Sequence, residues 1–426
     1  MTISDPAQLF VWLWLPGEVT PVVAGQVRRD PATGTISFGY GRSYLQRRNA
    51  IPIFEPDLPV QLGLQLPRRG HQLAPCLRDA LPDRWGRRVI INELFGLRGA
   101  EIREDSLGEM TFMLHSGSDR IGALDFQSSA TDYVARTSED ATLTELQDFA
   151  DLVEAGRPVP PLLARAILHG SSIGGARPKA LITDDARKLI AKFSATNDAF
   201  AMVKAEFAAM RLARHVGIDA AAVAITKVAS RDVLLVERFD RLLIAAGWQR
   251  RALVSALTWT GEQELSAHHI AYSELAEIIR ARFTAPGATL HQLYRRMVFN
   301  MLVGNTDDHA RNHAAFWDGR ALTLTPAYDI APQPRGGRAA NQAMNILPGR
   351  REARLTLALA AAGSFLLTGS EARALIDDMV ETVRTGWPKV ADEAGMTRIE
   401  RAYFADRQIL NPYAFEDFGP VVEVLA

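Results

Sequence analysis

A short polar segment between two apolar ones carries the residues best suited to chemistry. The apolar residues 301–303 and Gly304 lead into residues 305–312, which contain two carboxylates, a histidine, a guanidinium and two amides. A further carboxylate, Asp329, follows a second apolar stretch. Carboxylate and amide oxygens are hard ligands, so this layout suits a site that binds a divalent metal ion together with phosphate groups.

The spacing within this segment matches the spacing used in phosphoryl transfer. Kinases place an aspartate beside the attacking hydroxyl, an asparagine five residues later at a magnesium ion, and another aspartate on the metal from a following segment. Asp307, Asn312 and Asp329 fit these three roles. The alternative is a polar helix-capping loop, in which Asp307 or Asp308 only accepts hydrogen bonds from backbone N–H groups.

Length and composition predict a folded protein of two or three domains. The chain has 426 residues, of which 47% are hydrophobic and 23% charged, which is ordinary for a globular protein. With 48 basic and 49 acidic residues the formal net charge is −1, so no overall field attracts nucleic acid or an anionic membrane. Any such partner would have to bind a local patch.

Cysteine usage and the first residues predict a cytoplasmic location. Cys76 is the single cysteine, which rules out an intramolecular disulfide and a cysteine zinc cluster. The first six residues lack a basic region, and the apolar run 9–15 is too short to span a bilayer. We therefore expect no membrane association.

Hydrophobic patterns divide the chain into a β-rich start and a mainly helical second half. Short apolar or alternating runs predict a meandering sheet, over which the proline-punctuated residues 51–66 are expected to wrap. Amphipathic periodicity predicts four long helices in the second half. The runs predicted as strands are 9–15, 19–27 and 35–40, and the predicted helices are 272–283, 289–303, 355–367 and 370–385.

A second group of candidate binding residues lies upstream. The glycine-rich residues 170–179 could offer successive backbone N–H groups to an anion, although such loops are also common as plain hairpin turns. The following strand contains Lys192, and the next helix places Glu206 among core-facing neighbours, where a carboxylate needs a partner. Lys192 and Glu206 are predicted to pair and hold nucleotide phosphates, as in kinases. The alternative places Lys192 on an exposed strand face and Glu206 at the helix border.

Two further stretches have possible roles. Residues 232–241 read as a strand that ends in a charged segment, where a two-lobed kinase has its adenine-binding hinge; Glu237 to Phe239 would form it. The arginine-rich residues 332–354 could be a substrate or regulatory loop whose arginines bind phosphate or acidic groups. A plain solvated loop is the alternative.

Taken together, five segments in order resemble the HipA family of bacterial serine/threonine kinases that act as toxins in toxin–antitoxin pairs. The resemblance implies an α+β, two-lobed, protein-kinase-like fold with an extra N-terminal β-rich subdomain and an all-α C-terminal lobe. The expected domains are residues 1–125, 126–238 and 239–426. The five segments are 81–86 (Leu-Pro-Asp-Arg-Trp-Gly), 172–179 (Ser-Ile-Gly-Gly-Ala-Arg-Pro-Lys), 236–241 (Val-Glu-Arg-Phe-Asp-Arg), 305–312 (Asn-Thr-Asp-Asp-His-Ala-Arg-Asn) and 326–330 (Pro-Ala-Tyr-Asp-Ile).

The same resemblance assigns roles to individual residues. It implies that Asp307 is the catalytic aspartate, that Asn312 and Asp329 bind Mg²⁺, and that Lys192 binds ATP phosphates. Lys179 would close the phosphate loop. In a kinase mechanism, Arg311 or His309 would steady the γ-phosphate or the loop; the alternative for His309 is a neutral structural histidine that is hydrogen-bonded to backbone. Arg311 stands where many relatives have lysine, which exchanges a point charge for a planar fork. The remaining positions, in the phosphate loop and at its autophosphorylated serine, are Ile173, Gly174, Gly175, Ala176 and Ser172.

The resemblance implies a kinase that uses ATP and Mg²⁺ to phosphorylate protein hydroxyls, with an aminoacyl-tRNA synthetase as one candidate acceptor. It also implies a helix-turn-helix antitoxin of HipB type as partner, with DNA reached only through that partner. Two alternatives remain open at this point. One is a two-metal hydrolase that uses Asp307, Asp308, His309 and Asp329 as ligands. The other is a catalytically silent kinase-like module that holds an antitoxin.

Overall fold

The computed structural model describes residues 5–96, 103, 106–136, 141–157, 159, 177–184, 186–195, 198, 200–405 and 407–419. The chain divides into two compact units. The first contains residues 1–196, 227–254 and 316–320, and the second contains residues 197–226, 255–315 and 321–426. The three domains expected from the sequence stay a prediction.

The first unit begins with the predicted antiparallel meander. Strands β1 (Gln8–Leu13), β2 (Val22–Arg29), β3 (Ile36–Tyr40) and β4 (Leu124–Gln127) form one sheet in the order β3–β2–β1–β4. The apolar side chains of these runs, such as Ile36, Phe38 and Tyr40 of β3, are buried, which explains why the strands were recognisable from the sequence. A Cβ at Gly25 would lie 2.2 Å from the carbonyl oxygen of Gly39, so this close strand pairing requires glycine.

The proline-rich segment lies against β3, as expected. The hydroxyl of Tyr40 donates to the carbonyl of Leu58 at 2.7 Å and accepts from the backbone N–H of Ile53 at 2.9 Å. Gln65 pairs with Phe38 through two backbone hydrogen bonds of 2.7 and 2.9 Å. Short helices α1 (Arg42–Leu45) and α2 (Pro75–Arg78) flank this segment, and α2 contains the buried Cys76.

A second sheet carries the predicted lysine strand. Helix α3 (Arg84–Phe95), helix α4 (Glu109–His115) and helix α5 (Leu143–Glu154) precede strands β5 (Lys179–Asp184), β6 (Arg187–Phe193), β7 (Val223–Val228) and β8 (Arg231–Glu237). The strand order is β5–β6–β8–β7. Trp85 of α3 and Phe149 of α5 share one buried apolar cluster with Phe193 and Val233 of the sheet. Burial of these large side chains fixes α3 and α5 to the sheet.

Helix α3 carries buried and accessible side chains at neighbouring positions. Trp85 is fully buried, and its indole N–H donates to the carbonyl of Lys179 at 3.2 Å. Arg84 is exposed, but Arg87 and Arg88 are half-buried. The basic residues of α3 border an apolar core, because each turn of a helix has both a buried face and an accessible face.

The rest of the chain is mainly helical, with short strands that the sequence analysis did not predict. Strands β9 (Arg241–Ile244) and β10 (Gly247–Arg250) form a hairpin, and β11 (Leu253–Ser255), β12 (Ala314–Trp317) and β13 (Leu322–Leu324) form a sheet in that order. The helices are α6 (Met202–His215), α7 (Ala256–Thr260), α8 (Tyr272–Arg282), α9 (Pro286–Leu302), α10 (Leu355–Ala361), α11 (Gly369–Glu393) and α12 (Arg398–Phe404).

Packing in the second unit centres on α9. Helix α9 contacts α8 and α10, and α6 packs along α11. Helices α11 and α12 each begin at a Thr-x-x-Glu capping box, which satisfies backbone N–H groups at their first turns. No helix in the described part of the chain is both long and apolar enough to cross a membrane.

Candidate active site

The polar loop after α9 is held in place by backbone geometry and buried amides. Gly304 has a φ of +68°, and a Cβ there would lie 2.8 Å from the carbonyl oxygen of Gln408. Glycine is therefore required where the chain leaves the helix. Asn305 donates from its amide to Oδ1 of Asn300 at 3.0 Å, and its carbonyl accepts from Gln342 at 3.3 Å. These contacts fix the start of the loop against α9.

The structure brings Asp307 and Asn312 together. Nδ2 of Asn312 donates to the backbone carbonyl of Asp307 at 3.1 Å. The loop is tightened further by backbone hydrogen bonds from His309 to Asp307 at 2.9 Å and from Asn312 to His309 at 2.8 Å. Because the side-chain nitrogen Nδ2 of Asn312 donates to the loop backbone, the side-chain oxygen Oδ1 is the atom that could bind a metal ion.

Asp307 lies exposed on this loop, and the negative charge of Asp329 acts on its carboxyl group. Partial desolvation is the largest influence and raises the pKa of Asp307; the positive charge on His309 acts in the opposite direction. The negative charges of Asp329 and Asp308 raise the pKa further. A carboxyl group whose proton affinity is raised in this way is suited to accept a proton from a substrate hydroxyl.

Asp329 adopts a backbone conformation that is uncommon outside glycine. Its φ is +59°, in the left-handed region, which aspartate tolerates better than most residues. The hydroxyl of the preceding Tyr328 donates to the carbonyl of Arg311 at 2.6 Å. This contact ties the segment that carries Asp329 to the loop that carries Asp307 and Asn312. Left-handed non-glycine residues of this kind concentrate at functional sites.

His309 and Arg311 differ in their surroundings. Nδ1 of His309 is enclosed and has no hydrogen-bond partner among the residues that the structure describes. The guanidinium of Arg311 pairs with Glu264 at 3.1 Å, in a contact that is open to solvent. Such exposed ion pairs are weak, so Arg311 can exchange this partner for a phosphate group. Both roles near a γ-phosphate stay predictions.

Asp308 has side-chain partners that were not predicted from the sequence. It is buried, with Oδ1 2.9 Å from Nε2 of His313, and Oδ2 accepts a hydrogen bond from the hydroxyl of Tyr272. Burial favours the neutral acid, yet His313 and Tyr272 hold the pKa of Asp308 below its usual range. Burial and the Asp308 charge raise the pKa of Tyr272, which keeps its phenol protonated as a donor.

The two upstream lysines are direct neighbours in the second sheet. Lys179 of β5 pairs in register with Lys192 of β6, so both side chains stand on the same face. Lys179 is buried, and its Nζ lies 2.9 Å from Oδ2 of Asp83, the N-cap residue of α3. This pair was not predicted from the sequence. Lys192 is half-buried, and phosphate binding by either lysine stays a prediction.

The remaining predicted site residues have the following positions. Glu206 is buried on α6, as the sequence predicts, and its pairing with Lys192 stays a prediction. Glu237 ends β8, while Phe239 stacks edge-on against Phe316 with ring centroids 5.9 Å apart. The backbone N–H of Arg238, at the centre of the predicted hinge, donates to the carbonyl of Lys188 at 2.8 Å. Ser172, Ile173, Gly174, Gly175 and Ala176 lie outside the described residues.

The oxygen donors near Asp307 are of the kind that binds magnesium. Within the described ranges, no cluster of three histidine, cysteine or carboxylate side chains could hold a metal ion. Asn312 and Asp329 would supply one amide and one carboxylate oxygen. Mg²⁺ is commonly bound by one or two such ligands, with phosphate oxygens and water completing its shell. The enclosed position of Asp308 argues against the two-metal hydrolase, which would need it as a ligand.

The chain belongs to the HipA family. The family model described as HipA-like C-terminal domain matches residues 171–387, and the model described as HipA N-terminal domain matches residues 18–127. The α+β, kinase-like fold expected from the sequence is confirmed by a solved structure with a TM-score of 0.66, 19% identity and 93% coverage of both chains. That structure is HipA of Shewanella oneidensis MR-1 in complex with HipB and its operator DNA.

Two curated relatives extend the comparison. The chain is 25% identical over 347 residues to the Sinorhizobium fredii protein named "Putative kinase Y4mE", covering 75% of this chain and 76% of the relative. It is 28% identical over 141 residues to the serine/threonine-protein kinase toxin HipA of Shewanella oneidensis, covering 29% of this chain and 33% of the relative. Both relatives are named as kinases.

Proposed function

We propose that this chain is an ATP- and Mg²⁺-dependent serine/threonine protein kinase of HipA type. The observation that carries the proposal is the proximity of three residues: Asp307 and Asn312 lie on one loop, and Asp329 lies on a segment that is hydrogen-bonded to that loop. Asn312 is hydrogen-bonded to the backbone of Asp307, and Asp329 acts electrostatically on the carboxyl group of Asp307. A silent binding module would have no need for a metal-type donor set beside an aspartate of raised proton affinity.

The roles follow from the charge that develops during phosphoryl transfer. The transition state spreads negative charge over the transferred phosphoryl group, so positioning and counter-charges provide most of the catalysis. A bound Mg²⁺ ion would neutralise charge on the nucleotide phosphates. Asn312 and Asp329 would hold that ion, and Asp307 would orient the acceptor hydroxyl and accept its proton. Arg311 or His309 would steady the γ-phosphate.

The nucleotide would be held by the upstream residues. Lys192, oriented by Glu206, would bind the α- and β-phosphates as a point charge. The glycine-rich residues 173–176, with Lys179, would place backbone N–H groups around the phosphates. Glu237 and Phe239 would lie beside the adenine.

The proposal is tested by incubating the purified chain with radiolabelled ATP. We expect Mg²⁺-dependent transfer of the γ-phosphate into protein, including into Ser172 of the chain itself, with peptide mapping by mass spectrometry to locate the site. Chelation of the metal should stop the transfer. Nucleotide binding without transfer to this chain or to any protein of a cell extract would instead favour the silent module.

Asp329→Asn is expected to weaken MgATP binding by at least about tenfold, or about 1.4 kcal/mol. The substitution keeps the shape of the side chain but removes the negative charge that a magnesium ligand supplies. Isothermal titration with ATP in the presence of Mg²⁺ measures the effect. The matched control is Asp377→Asn, which removes a carboxylate from the exposed Arg373–Asp377 pair on α11. Equal MgATP affinity in wild type and Asp329→Asn would show that Asp329 is not a ligand of the metal ion.

We further propose that the partner is a helix-turn-helix antitoxin of HipB type and that DNA is contacted only through it. The proposal extends to this chain what the matched Shewanella oneidensis structure contains. An aminoacyl-tRNA synthetase is the proposed acceptor, with growth inhibition as the result. Phosphoproteomics of cells expressing the active and Asp307→Asn forms would identify the acceptor, and a profile without a phosphorylated synthetase would contradict this choice.

A further inference from the structure

Beneath the loop that carries Asp307 and Asn312 lies an enclosed network of three side chains. Nε2 of His313 lies 2.9 Å from Oδ1 of Asp308, and the hydroxyl of Tyr272 donates to Oδ2 of the same carboxylate. All three residues are buried, with Tyr272 at 0% and the other two at 2% exposure. The rings of Tyr272 and His313 meet edge to face, with centroids 5.6 Å apart.

The network is joined to the proposed reacting groups by sequence. Asp308 directly follows Asp307, and His313 directly follows Asn312. The contact between Asp308 and His313 therefore joins the two ends of the loop on its buried side. Asp307 and Asn312 are the neighbours of these two residues in sequence. Backbone hydrogen bonds within 307–312 leave little freedom between these anchors.

Tyr272 connects this closure to a rigid element. It is the first residue of α8, and its backbone N–H donates to the carbonyl of Asn345 at 2.9 Å. The carbonyl of His313 accepts from the backbone N–H of Ala256 at 2.8 Å, which fixes the other end. Movement of the Asp308 carboxylate is thus opposed from α8 and from the start of α7.

A buried carboxylate is costly, and apolar replacements of buried ion pairs are often neutral or stabilising. Stability alone therefore does not account for this arrangement. We propose that Asp308, His313 and Tyr272 are positioning residues that set the directions of Asp307 and Asn312, an inference that rests on the proposed kinase function. Small displacements of reacting groups lower rates strongly, because orientation supplies much of the catalysis.

The first test compares two buried tyrosines. Tyr272→Phe removes the hydroxyl that binds Asp308, while Tyr294→Phe removes a hydroxyl that donates to the carbonyl of Ala358 at 3.1 Å on the same helical unit. We expect Tyr272→Phe to lower kcat by about 10–100-fold with a change in KM for ATP of less than about threefold. Tyr294→Phe should leave both constants near the wild-type values, although both variants lower the unfolding temperature.

The second test uses conservative rescue at His313. In glutamine, the side-chain amide nitrogen can take the place of Nε2 and donate to Asp308, whereas alanine leaves the carboxylate without that donor. His313→Ala is expected to lose about 100-fold in kcat, and His313→Gln to recover to within about tenfold of wild type. Equal losses in the two variants, or losses that only follow the unfolding temperature, would overturn the proposal.

Hydrogen exchange separates this inference from the proposed function. Mass spectrometry of wild type and Tyr272→Phe should show faster exchange confined to peptides covering 304–313, and Tyr294→Phe should show no change there. If the wild type transfers no phosphate, the kinase function fails and the exchange result alone decides the positioning role. Unchanged exchange at 304–313 in Tyr272→Phe would overturn it.

Discussion

Asp307→Asn is expected to lower phosphoryl transfer by about 10²–10⁴-fold while leaving MgATP affinity within about threefold of wild type. Asparagine keeps the size of the side chain but can neither orient the acceptor hydroxyl as a carboxylate does nor accept its proton. Asp307 holds no metal in the proposed arrangement, so nucleotide binding should persist. Radiolabel transfer and isothermal titration on the same preparation measure the two quantities.

The control separates a local effect from loss of folding. Asp377→Asn changes a carboxylate on the exposed face of α11 and should match wild type in both assays. Asp307 is exposed, so the unfolding temperature of Asp307→Asn should also stay close to that of wild type. Equal phosphoryl transfer by wild type and Asp307→Asn would show that another residue accepts the proton. Loss of both transfer and nucleotide binding in Asp307→Asn would show that Asp307 binds the metal ion.

The elements that carry the candidate site were predictable because their signals are local. The apolar periodicity of 289–303 locates α9, and the buried stripe that includes Val203, Glu206 and Met210 locates α6. The loop after α9 was recognisable from the spacing of its polar residues. Short strands such as β12 and β13 were missed, because runs of three or four residues give too little alternation to distinguish them from loops.

Contacts between distant positions were not predictable in the same way. Asp307 and Asp308 are adjacent carboxylates, and no local pattern shows which one turns inward; the partner that decides it, Tyr272, lies 36 residues away. The pair of Lys179 and Asp83 spans 96 residues. One signal could have indicated Asp83, since an aspartate after proline at the start of a helix is a typical N-cap.

The segment 236–241 shows that a family motif can serve the fold. Arg238, Asp240 and Arg241 of this segment are buried, and Arg238 forms a bidentate pair with Asp240 at 2.9 and 3.0 Å. Arg241 contacts Asp240 at 2.8 Å and Asp119 at 2.9 Å. Gly122 donates its backbone N–H to Asp240 at 2.8 Å. These contacts join the end of β8 to the segment before β4, so the motif links the two sheets of the first unit.

Asp240→Ala is expected to lower the free energy of unfolding by about 3–5 kcal/mol, because it leaves two buried guanidinium groups with Asp119 as their remaining shared carboxylate. Urea denaturation followed by tryptophan fluorescence measures the loss. The control is Asp377→Ala, whose exposed ion pair contributes less than about 1 kcal/mol. A loss for Asp240→Ala no larger than that of the control would mean that water replaces the missing carboxylate.

Acid should reduce the difference between wild type and Asp240→Ala. Burial favours the neutral form of Asp240, yet Arg238 and Arg241 hold its pKa below its usual range in the folded state. A depressed carboxyl pKa contributes stability that is fully present above the unfolded-state value of about 3.9 and is lost as the pH falls further. The two unfolding free energies should therefore converge below about pH 4. A difference that stays constant down to pH 2 would show that packing, and not the charge of Asp240, stabilises the link between the two sheets.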